Sequence, residues 1–570
     1  MTITRALAAA GCGALALVAV GATPAAPPAD ATLAGVERAQ AAAGPADPGG
    51  PGEYVLTYDG SVDDLRRAVV ESGGTVEDVN HDLNLALVHA TTPGFTERVV
   101  ANSAVTGVAR NHSVGTARPG QPHRFVDERP SAADRAAVRE RGTGAVLPLQ
   151  AAESAEPLAD RQWDMGMIGA DAEGAHRTAT GRGVRVGIID TGVDASHPDL
   201  APNVDLAASR NFTTDIPEVD GPCEVPSCVD PVDVDDGGHG THVAGIVAAA
   251  RNGVGIAGVA PDATIVNVRA GQDSGYFFLY ETVAALTYAA DIRLDVVNMS
   301  FYVDPWLYNC SSRGDYLRGT VSDEELAQQR LTRRLVTRAL EYAHARGVTL
   351  VAAAGNSATD LAAPERLDDS SPDYPEGTSR SRTVSRDCLD LPAEGPHVIS
   401  VSSVGPSEAK ADYSNFGLGA VELAAPGGHF RDLAGTPRHQ TPGNMVLSAY
   451  PLDVARAEGL VDAEGQPVDD FAARSCDAAG ACGVYTYLQG TSMAAPHVAG
   501  VAALVIEAHG QERRDGYALA PDTVAEILAR TARDHACPAD TACQGPPAAN
   551  GFYGEGIVDA GAAVAPLPTR

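Results

Sequence analysis

The pattern of apolar positions divides this chain into two folded regions, of which the first is small. Between residues 52 and 112, strand-like patterns cover 54–58, 75–79, 83–88 and 105–110, and helical patterns cover 62–72 and 93–101. The order β-α-β-β-α-β predicts a ferredoxin-like α+β domain. An unrelated small binding domain is the alternative.

Beyond about residue 161, apolar strands alternate with helices. Strands are predicted at 184–189, 264–268, 296–299, 349–353 and 398–402, with helices beginning near 239, 280, 324 and 492. This alternation is typical of a parallel sheet covered by helices on both faces. In such a sheet the functional residues lie beyond the carboxyl ends of the strands. Residues 113–157 between the two regions are polar and contain Pro and Arg, which indicates a linker.

The first 30 residues have the pattern of a secretory signal peptide. Arg5 precedes an apolar stretch at 6–22, and small residues and prolines follow. A membrane anchor is the alternative, but the stretch is diluted by alanine. A lipoprotein signal at Cys12 is a second alternative, with little apolar sequence before it. We therefore expect a secreted, extracellular protein that keeps no membrane contact once the signal is removed.

The composition limits the partners of the chain. Its 74 acidic and 41 basic residues give a net charge of −33. Such a surface disfavours nucleic acids and anionic membranes, and it favours solubility and the binding of cations. We therefore expect no nucleic-acid partner.

Eight cysteines remain besides Cys12, and an even number suits an oxidising compartment. Proximity in sequence favours three pairs and leaves two cysteines to form a fourth. The predicted disulfides are Cys223–Cys228, Cys476–Cys482, Cys537–Cys543 and Cys310–Cys388. A zinc site that includes the first pair is the alternative.

Candidate chemistry begins with Ser492, which a small-residue turn brings to the start of an apolar helix. Free N–H groups and the helix dipole at such a position favour negative charge. They would therefore stabilise the oxyanion that forms when a hydroxyl attacks a carbonyl. A capping role for this serine is the alternative. A nucleophilic serine also needs a histidine base and a carboxylate that orients it.

Three further polar residues lie at strand ends or helix starts. Asp190 ends a buried strand, where an unpaired carboxylate would be costly. His239 follows a glycine turn at a helix start, and Asn356 follows another buried strand. His242 and His497 have the pattern of structural histidines within apolar helices. The sequence excludes an α/β-hydrolase, whose motif has glycine where Ala494 stands, and it contains no His-Glu-x-x-His zinc motif.

The chain resembles the subtilisin-like serine proteases in three motifs. They read Ile-Ile-Asp190-Thr-Gly, His239-Gly-Thr-His-Val-Ala-Gly and Gly-Thr-Ser492-Met-Ala-Ala-Pro-His, and the resemblance covers about residues 160–570. It implies an α/β subtilisin-like fold with Asp190 as histidine orienter, His239 as base and then acid, and Ser492 as nucleophile. It also implies that Asn356 and the backbone N–H of Ser492 form an oxyanion hole.

The resemblance further implies substrate-binding residues and a calcium site. Substrate would lie along Ser300, Phe301, Tyr302, Ala354 and Gly355. Tyr302 and Val303 replace the usual glycines and could narrow the specificity pocket, or the strand could bulge away. Long insertions near 206–236, 303–330, 358–394 and 428–484 could restrict substrates as well. Asp199 and Asn252 match positions of a structural calcium site, with a loop cap and a turn as the alternative roles. No cofactor is expected for the chemistry itself.

The predicted domains are a signal peptide at 1–30, a pro-region at 31–150 with its folded core near 52–112, and a peptidase domain at 151–570. The hypothesis is a secreted, monomeric serine endopeptidase that processes its own precursor, with protein substrates and its own pro-region as inhibitor. Alternatives are a processing protease with few substrates and a non-catalytic binding protein on the same fold.

Overall fold

The computed structural model describes residues 52–111, 128–141, 156–217, 220–368, 381–514, 516–539 and 541–567. The predicted signal peptide lies outside the described residues, as does most of the predicted linker. Within the linker, the described segment is 128–141.

The N-terminal unit has the element order that its pattern predicts. It contains β1 (Gly52–Tyr58), α1 (Val62–Ser72), β2 (Gly74–Asn80), β3 (Leu85–Ala90), α2 (Phe95–Val100) and β4 (Val105–Arg110). The antiparallel sheet has the order β2-β3-β1-β4. Leu56, Leu65 and Phe95 pack in its core. The Ser61 side chain caps α1, and Gly73 ends it in the left-handed conformation. That this unit is a ferredoxin-like pro-domain stays a prediction.

The larger region is built around a seven-stranded parallel sheet. Its strands are β5 (Arg185–Ile189), β6 (Arg210–Asn211), β7 (Thr264–Arg269), β8 (Val296–Met299), β10 (Thr349–Ala353), β13 (Val398–Val404) and β14 (Leu423–Pro426). They lie in the order β14-β13-β10-β8-β5-β7-β6. Every pairing in it is parallel. The α/β fold inferred from the alternating pattern is therefore confirmed.

Helices cover both faces of this sheet. Ile188 packs in the cluster that contains α5 (His239–Ala248) and α9 (Thr491–His509). Ile189 points to the opposite face and packs with α6 (Leu279–Asp291) and α7 (Asp323–Ala345). Because successive residues of this strand pack against the helices on opposite faces of the sheet, the strand is apolar throughout. Helix α9 is long and apolar enough to cross a membrane by composition, but it lies buried in this core.

The remaining elements are short. Helices α3 (Ala132–Arg141) and α4 (Trp163–Ile168) precede the sheet, and α10 (Pro521–Thr531) and α11 (Ala560–Ala563) close the chain. The insertions form two small sheets, β9 (Tyr316–Arg318) with β11 (Glu365–Asp368) and β12 (Arg382–Ser385), and β15 (Val446–Tyr450) with β16 (Ala472–Cys476) and β17 (Cys482–Leu488). Helix α8 (Leu452–Ala457) follows β15, and β18 (Gln511–Arg513) pairs with β19 (Gly516–Ala518).

The cysteines are joined in the four predicted pairs. The disulfides are Cys223–Cys228, Cys310–Cys388, Cys476–Cys482 and Cys537–Cys543. The second closes the longest loop and connects two insertions.

The N-terminal unit docks on the start of helix α6. The Asn111 side chain accepts a hydrogen bond from the Tyr280 N–H and donates to the Glu281 carboxylate. The Tyr280 hydroxyl donates to Asp78, and Asn80 donates to Thr287. These buried and half-buried polar contacts hold the unit against the face of the sheet that carries α6 and α7.

Candidate active site

The first part of the site is a buried carboxylate–imidazole pair. Asp190 follows the end of β5, and His239 begins α5 directly after Gly238, which has a φ of 80°. The Asp190 Oδ1 lies 2.7 Å from His239 Nδ1 and also accepts the Thr191 N–H. Both side chains are buried. The carboxylate therefore fixes the imidazole with Nε2 turned away from it.

Asp235 holds the loop in front of this histidine, a role that the sequence reasoning missed. Its Oδ1 accepts hydrogen bonds from the Thr191 hydroxyl and the Gly238 N–H. Its Oδ2 accepts from the Thr241 N–H within the first turn of α5. An aspartate shortly before a helix start is a capping signal, and this signal could have found it.

Ser492 lies in the first turn of α9, where the backbone N–H groups have no partner inside the helix. Its side chain is buried to all but 5%. The Ser300 hydroxyl donates to the Ser492 carbonyl oxygen at 2.9 Å, and Asn298 donates to Ser300 in turn. Strand β8 thus positions the turn that carries the serine.

Asn356 joins the same turn from the end of β10. Its Oδ1 accepts hydrogen bonds from the Thr491 N–H and hydroxyl, both at 2.9 Å. Gly355, with a φ of 97°, donates its N–H to the Thr491 hydroxyl at 3.0 Å. With its oxygen occupied in this way, the amide directs its N–H₂ group, a hydrogen-bond donor, toward the centre of the site.

A carboxylate from the segment before α3 fills that centre. Glu128 Oε2 lies 3.3 Å from His239 Nε2, and Glu128 Oε1 lies 3.5 Å from Asn356 Nδ2. A Cβ placed on Gly490 would lie 2.9 Å from the same Oε1. The Glu128 carbonyl oxygen accepts the Gln489 N–H at 2.9 Å. Glu128 therefore contacts the imidazole and the amide through its side chain, and the serine turn through its carbonyl oxygen.

The two carboxylates change the protonation of the histidine. Burial disfavours a charged imidazolium, but the negative charges of Asp190 and Glu128 outweigh it and raise the pKa of His239 to about 10. In this arrangement the imidazole is a cation near neutral pH. Near neutral pH it therefore cannot accept a further proton while Glu128 occupies the centre.

Asp190, His239, Asn356 and Ser492 come from four separate strand ends or helix starts, and a family profile covers these four residues. The profile described as Subtilase family matches residues 181–556. The chain belongs to the subtilase family.

Curated relatives of this subtilase include two bacterial proteases. Subtilisin DY of Bacillus licheniformis is 29% identical over 326 residues, which are 57% of this chain and 77% of the relative. Thermitase of Thermoactinomyces vulgaris is 29% identical over 328 residues, 57% of this chain and 76% of the relative. Family membership makes the chain a serine-type endopeptidase, a class whose chemistry needs no cofactor.

Solved structures share the fold of this subtilase. The epidermin leader peptide processing serine protease of Staphylococcus aureus has a TM-score of 0.59 at 21% identity and covers 90% of this chain and 98% of its own. Fervidolysin of Fervidobacterium pennivorans has a TM-score of 0.55 at 22% identity, covering 91% of this chain and 62% of its own. At these identities the likeness shows the fold alone.

The two histidines expected to be structural have structural contacts in this subtilase. His242 Nε2 lies 3.1 Å from the Thr486 carbonyl oxygen, and burial lowers the pKa of His242 to about 3. His497 lies between the Met493 carbonyl oxygen and the Asp164 carboxylate. Both are fully buried within their helices.

The predicted substrate-binding residues divide into two groups. Phe301 stacks on Phe277 with ring centroids 4.0 Å apart, and Val303 is fully buried, so both side chains pack in the interior. Tyr302 packs at the edge of the insertion cluster that contains Tyr308. Ser300, Ala354 and Gly355 belong to the strand ends beside the Ser492 turn. Substrate contact by these residues stays a prediction.

The predicted calcium ligands lie close together, and each has hydrogen-bond partners in the protein. Asp199 Oδ2 accepts hydrogen bonds from the Tyr485 hydroxyl and the Ile256 N–H, and burial raises the pKa of Asp199 to about 7. The Asn252 amide donates to the Pro198 carbonyl oxygen. Calcium at this pair stays a prediction.

A second acidic group among the described residues has ligand atoms close enough to hold a cation. It consists of Asp215, Glu224, Asp230 and Asp273, whose ligand atoms all lie within 4.8 Å of one another. The buried Arg269 guanidinium already lies 2.8 Å from Asp230 and 2.7 Å from Asp273. The arginine therefore supplies a positive charge inside this cluster.

Proposed function

We propose that this subtilase is a secreted endopeptidase that cleaves peptide bonds through an acyl-enzyme on Ser492. Asp190 orients His239, which removes the Ser492 proton during attack and returns it to the leaving amine. Asn356 Nδ2 and the Ser492 backbone N–H stabilise the oxyanion. The observation that carries the proposal is the Glu128 carboxylate, which reaches His239 and Asn356 at once and so marks the volume where a scissile carbonyl would lie.

The same observation supports synthesis as an inhibited precursor. Glu128 is buried to 3% exposure in the catalytic centre, although it belongs to the predicted pro-region. Its side chain, rather than its carbonyl group, faces Asn356, so this peptide bond is not presented for cleavage. The docked N-terminal unit would keep the segment in place until the chain is cut elsewhere.

The proposal is tested with the full-length precursor. A serine-directed fluorophosphonate should label the matured protein on Ser492, as peptide mapping would show. The Ser492→Ala precursor should accumulate uncut when produced alone, because the protein would process itself. A precursor of this variant that is trimmed normally would assign maturation to another protease. Absence of labelling in the matured wild type would favour the non-catalytic binding protein.

A processing protease with few substrates is the second candidate. The structured insertion 428–484 favours it, because its Tyr450 lies against Gly238 beside His239 and a structured loop at a cleft restricts substrates. A peptide-library digest distinguishes the two: a processing protease cleaves few sequences, and a general protease cleaves many.

A further inference from the structure

The residue after Glu128 occupies a pocket of its own beside the catalytic centre. Arg129 Nη1 lies 2.6 Å from Glu458 Oε2, and Arg129 Nη2 donates to the Tyr450 hydroxyl at 2.6 Å. The guanidinium carbon lies 5.3 Å from the centroid of the Tyr450 ring. The Tyr450 hydroxyl is also 3.2 Å from Glu458 Oε2, so carboxylate, hydroxyl and ring form one basic-residue pocket.

This basic-residue pocket is built by the catalytic region and adjoins the candidate base. Tyr450 ends β15, and Glu458 directly follows α8, so both belong to the insertion 428–484. A Cβ placed on Gly238 would lie 2.6 Å from the Tyr450 ring, and Gly238 immediately precedes His239. The Glu458 side chain is 20% exposed even with Arg129 bound. Removal of the pro-region would therefore open an acidic, aromatic-walled pocket at the edge of the active site.

The chemistry of the pocket fits a guanidinium better than other side chains. A charge-assisted contact to a carboxylate and stacking on an aromatic ring both suit the planar guanidinium of arginine. An apolar side chain in this pocket would leave the charge of the half-buried Glu458 uncompensated, and an anionic side chain would be repelled by it. The pocket thus selects by charge as well as by shape.

The direction of the chain indicates which part of a substrate enters this pocket. The Glu128 side-chain carboxylate lies in the centre beside His239, and Arg129 follows it toward the C-terminus. The candidate base His239 would protonate the leaving amine, and the pocket lies on the side of that histidine. This corresponds to the leaving-group side of a substrate.

We propose that Tyr450 and Glu458 form a specificity subsite that accepts an arginine on the leaving-group side of the scissile bond, at one of the first two positions. Arg129 fills this subsite in the precursor and a substrate arginine fills it in the matured enzyme. The inference rests on the proposed endopeptidase function.

The first experiment needs no variant. Matured wild-type protein, with its N-terminus sequenced, digests one peptide library before and after conversion of arginine to citrulline, a neutral isostere. Arginine should be enriched at a fixed leaving-group position, and citrulline should lose that enrichment by about tenfold, as expected for a charge-assisted contact. Equal cleavage of both libraries would overturn the subsite, whereas no cleavage of either would overturn the endopeptidase function itself.

The second experiment assigns the preference to the pocket. For two synthetic peptides that differ only by arginine or citrulline at the selected position, the ratio of kcat/KM should fall toward one in Glu458→Gln. The control Glu464→Gln removes an exposed charge from the same insertion and should keep the wild-type ratio. Tyr450→Phe keeps the ring, loses the hydroxyl, and should give an intermediate ratio. An unchanged ratio in Glu458→Gln would show that the pocket serves only to anchor the precursor.

Discussion

Replacing Glu128 by Gln tests how a carboxylate in the candidate catalytic centre changes the protonation of the candidate base. The rise of the pKa of His239 from 6.5 to about 10 is worth about 5 kcal/mol in favour of the imidazolium. Asp190 supplies the larger favourable charge effect and Glu128 the smaller one. Removal of the Glu128 charge should therefore lower the pKa of His239 by about one to two units, corresponding to about 1–3 kcal/mol.

The direction of the pH dependence follows from this raised pKa. The imidazolium–carboxylate contact is fully present below the unfolded value of 6.5 and is lost as the pH rises through about 10. Self-processing of the precursor should therefore be slow near neutral pH and accelerate toward alkaline pH. In Glu128→Gln the same profile should shift toward acid by about one to two pH units.

The assay follows precursor conversion on gels across this pH range, and the imidazole is titrated by NMR in the Ser492→Ala background. Glu140→Gln is the matched control, because it removes the same charge from an exposed position on α3. A Glu128→Gln profile and titration that coincide with the wild type and with the control would refute the reasoning. They would mean that the contact at 3.3 Å contributes nothing to the protonation of His239.

Three further outcomes are expected. Replacing Asn356 by Ala should lower the kcat of the matured enzyme by about 10²–10³-fold with a smaller change in KM, because one oxyanion donor is lost; a change below about threefold in steady-state assays would remove that role. Burial lowers the pKa of His242 to about 3. In the Ser492→Ala background, this residue alone should lower the free energy of unfolding by about 1.4 kcal/mol for each pH unit below about 6.5. In urea unfolding, the free energy of unfolding of His242→Gln should fall less steeply at acid pH. Replacing Cys310 and Cys388 by Ala should lower the free energy of unfolding by about 4–5 kcal/mol, because this disulfide joins cysteines 78 residues apart. A thermal scan should show the loss as a lower Tm, and an unchanged Tm would mean that the loop is already ordered in the unfolded chain.

The fold was predictable to the extent that its elements follow simple periodicity. The strand 184–189 and the long helix near 324 were correct within a few residues, because each is bounded by turns and has one uniform pattern. The two small insertion sheets were not predicted. Their strands are short and carry buried charges, such as Arg382 paired with Asp368, which conceals the apolar pattern that marks a strand.

The site was predictable only where local sequence carries the signal. Asp190 and His239 stand in motifs whose pattern indicates their positions, and the structure brings them to 2.7 Å. Glu128 carries no local signal, because its place in the centre depends on contacts with His239 and Gln489, which are remote in sequence. The polar composition of residues 113–157 does not distinguish an exposed linker from a segment whose side chain is buried in the site. The difference between them arises only from tertiary contacts.

The ion pairs of the segment 128–141 have a consequence for the timing of activity. Arg129 pairs with Glu458, Arg139 with Asp469, and Asp134 with Arg431, so all three contacts are made to the insertion 428–484. Cutting the chain on either side would leave this segment bound as a product that must dissociate. Enzyme activity would then lag behind backbone cleavage, and added salt would shorten the lag because two of the pairs are partly exposed to solvent.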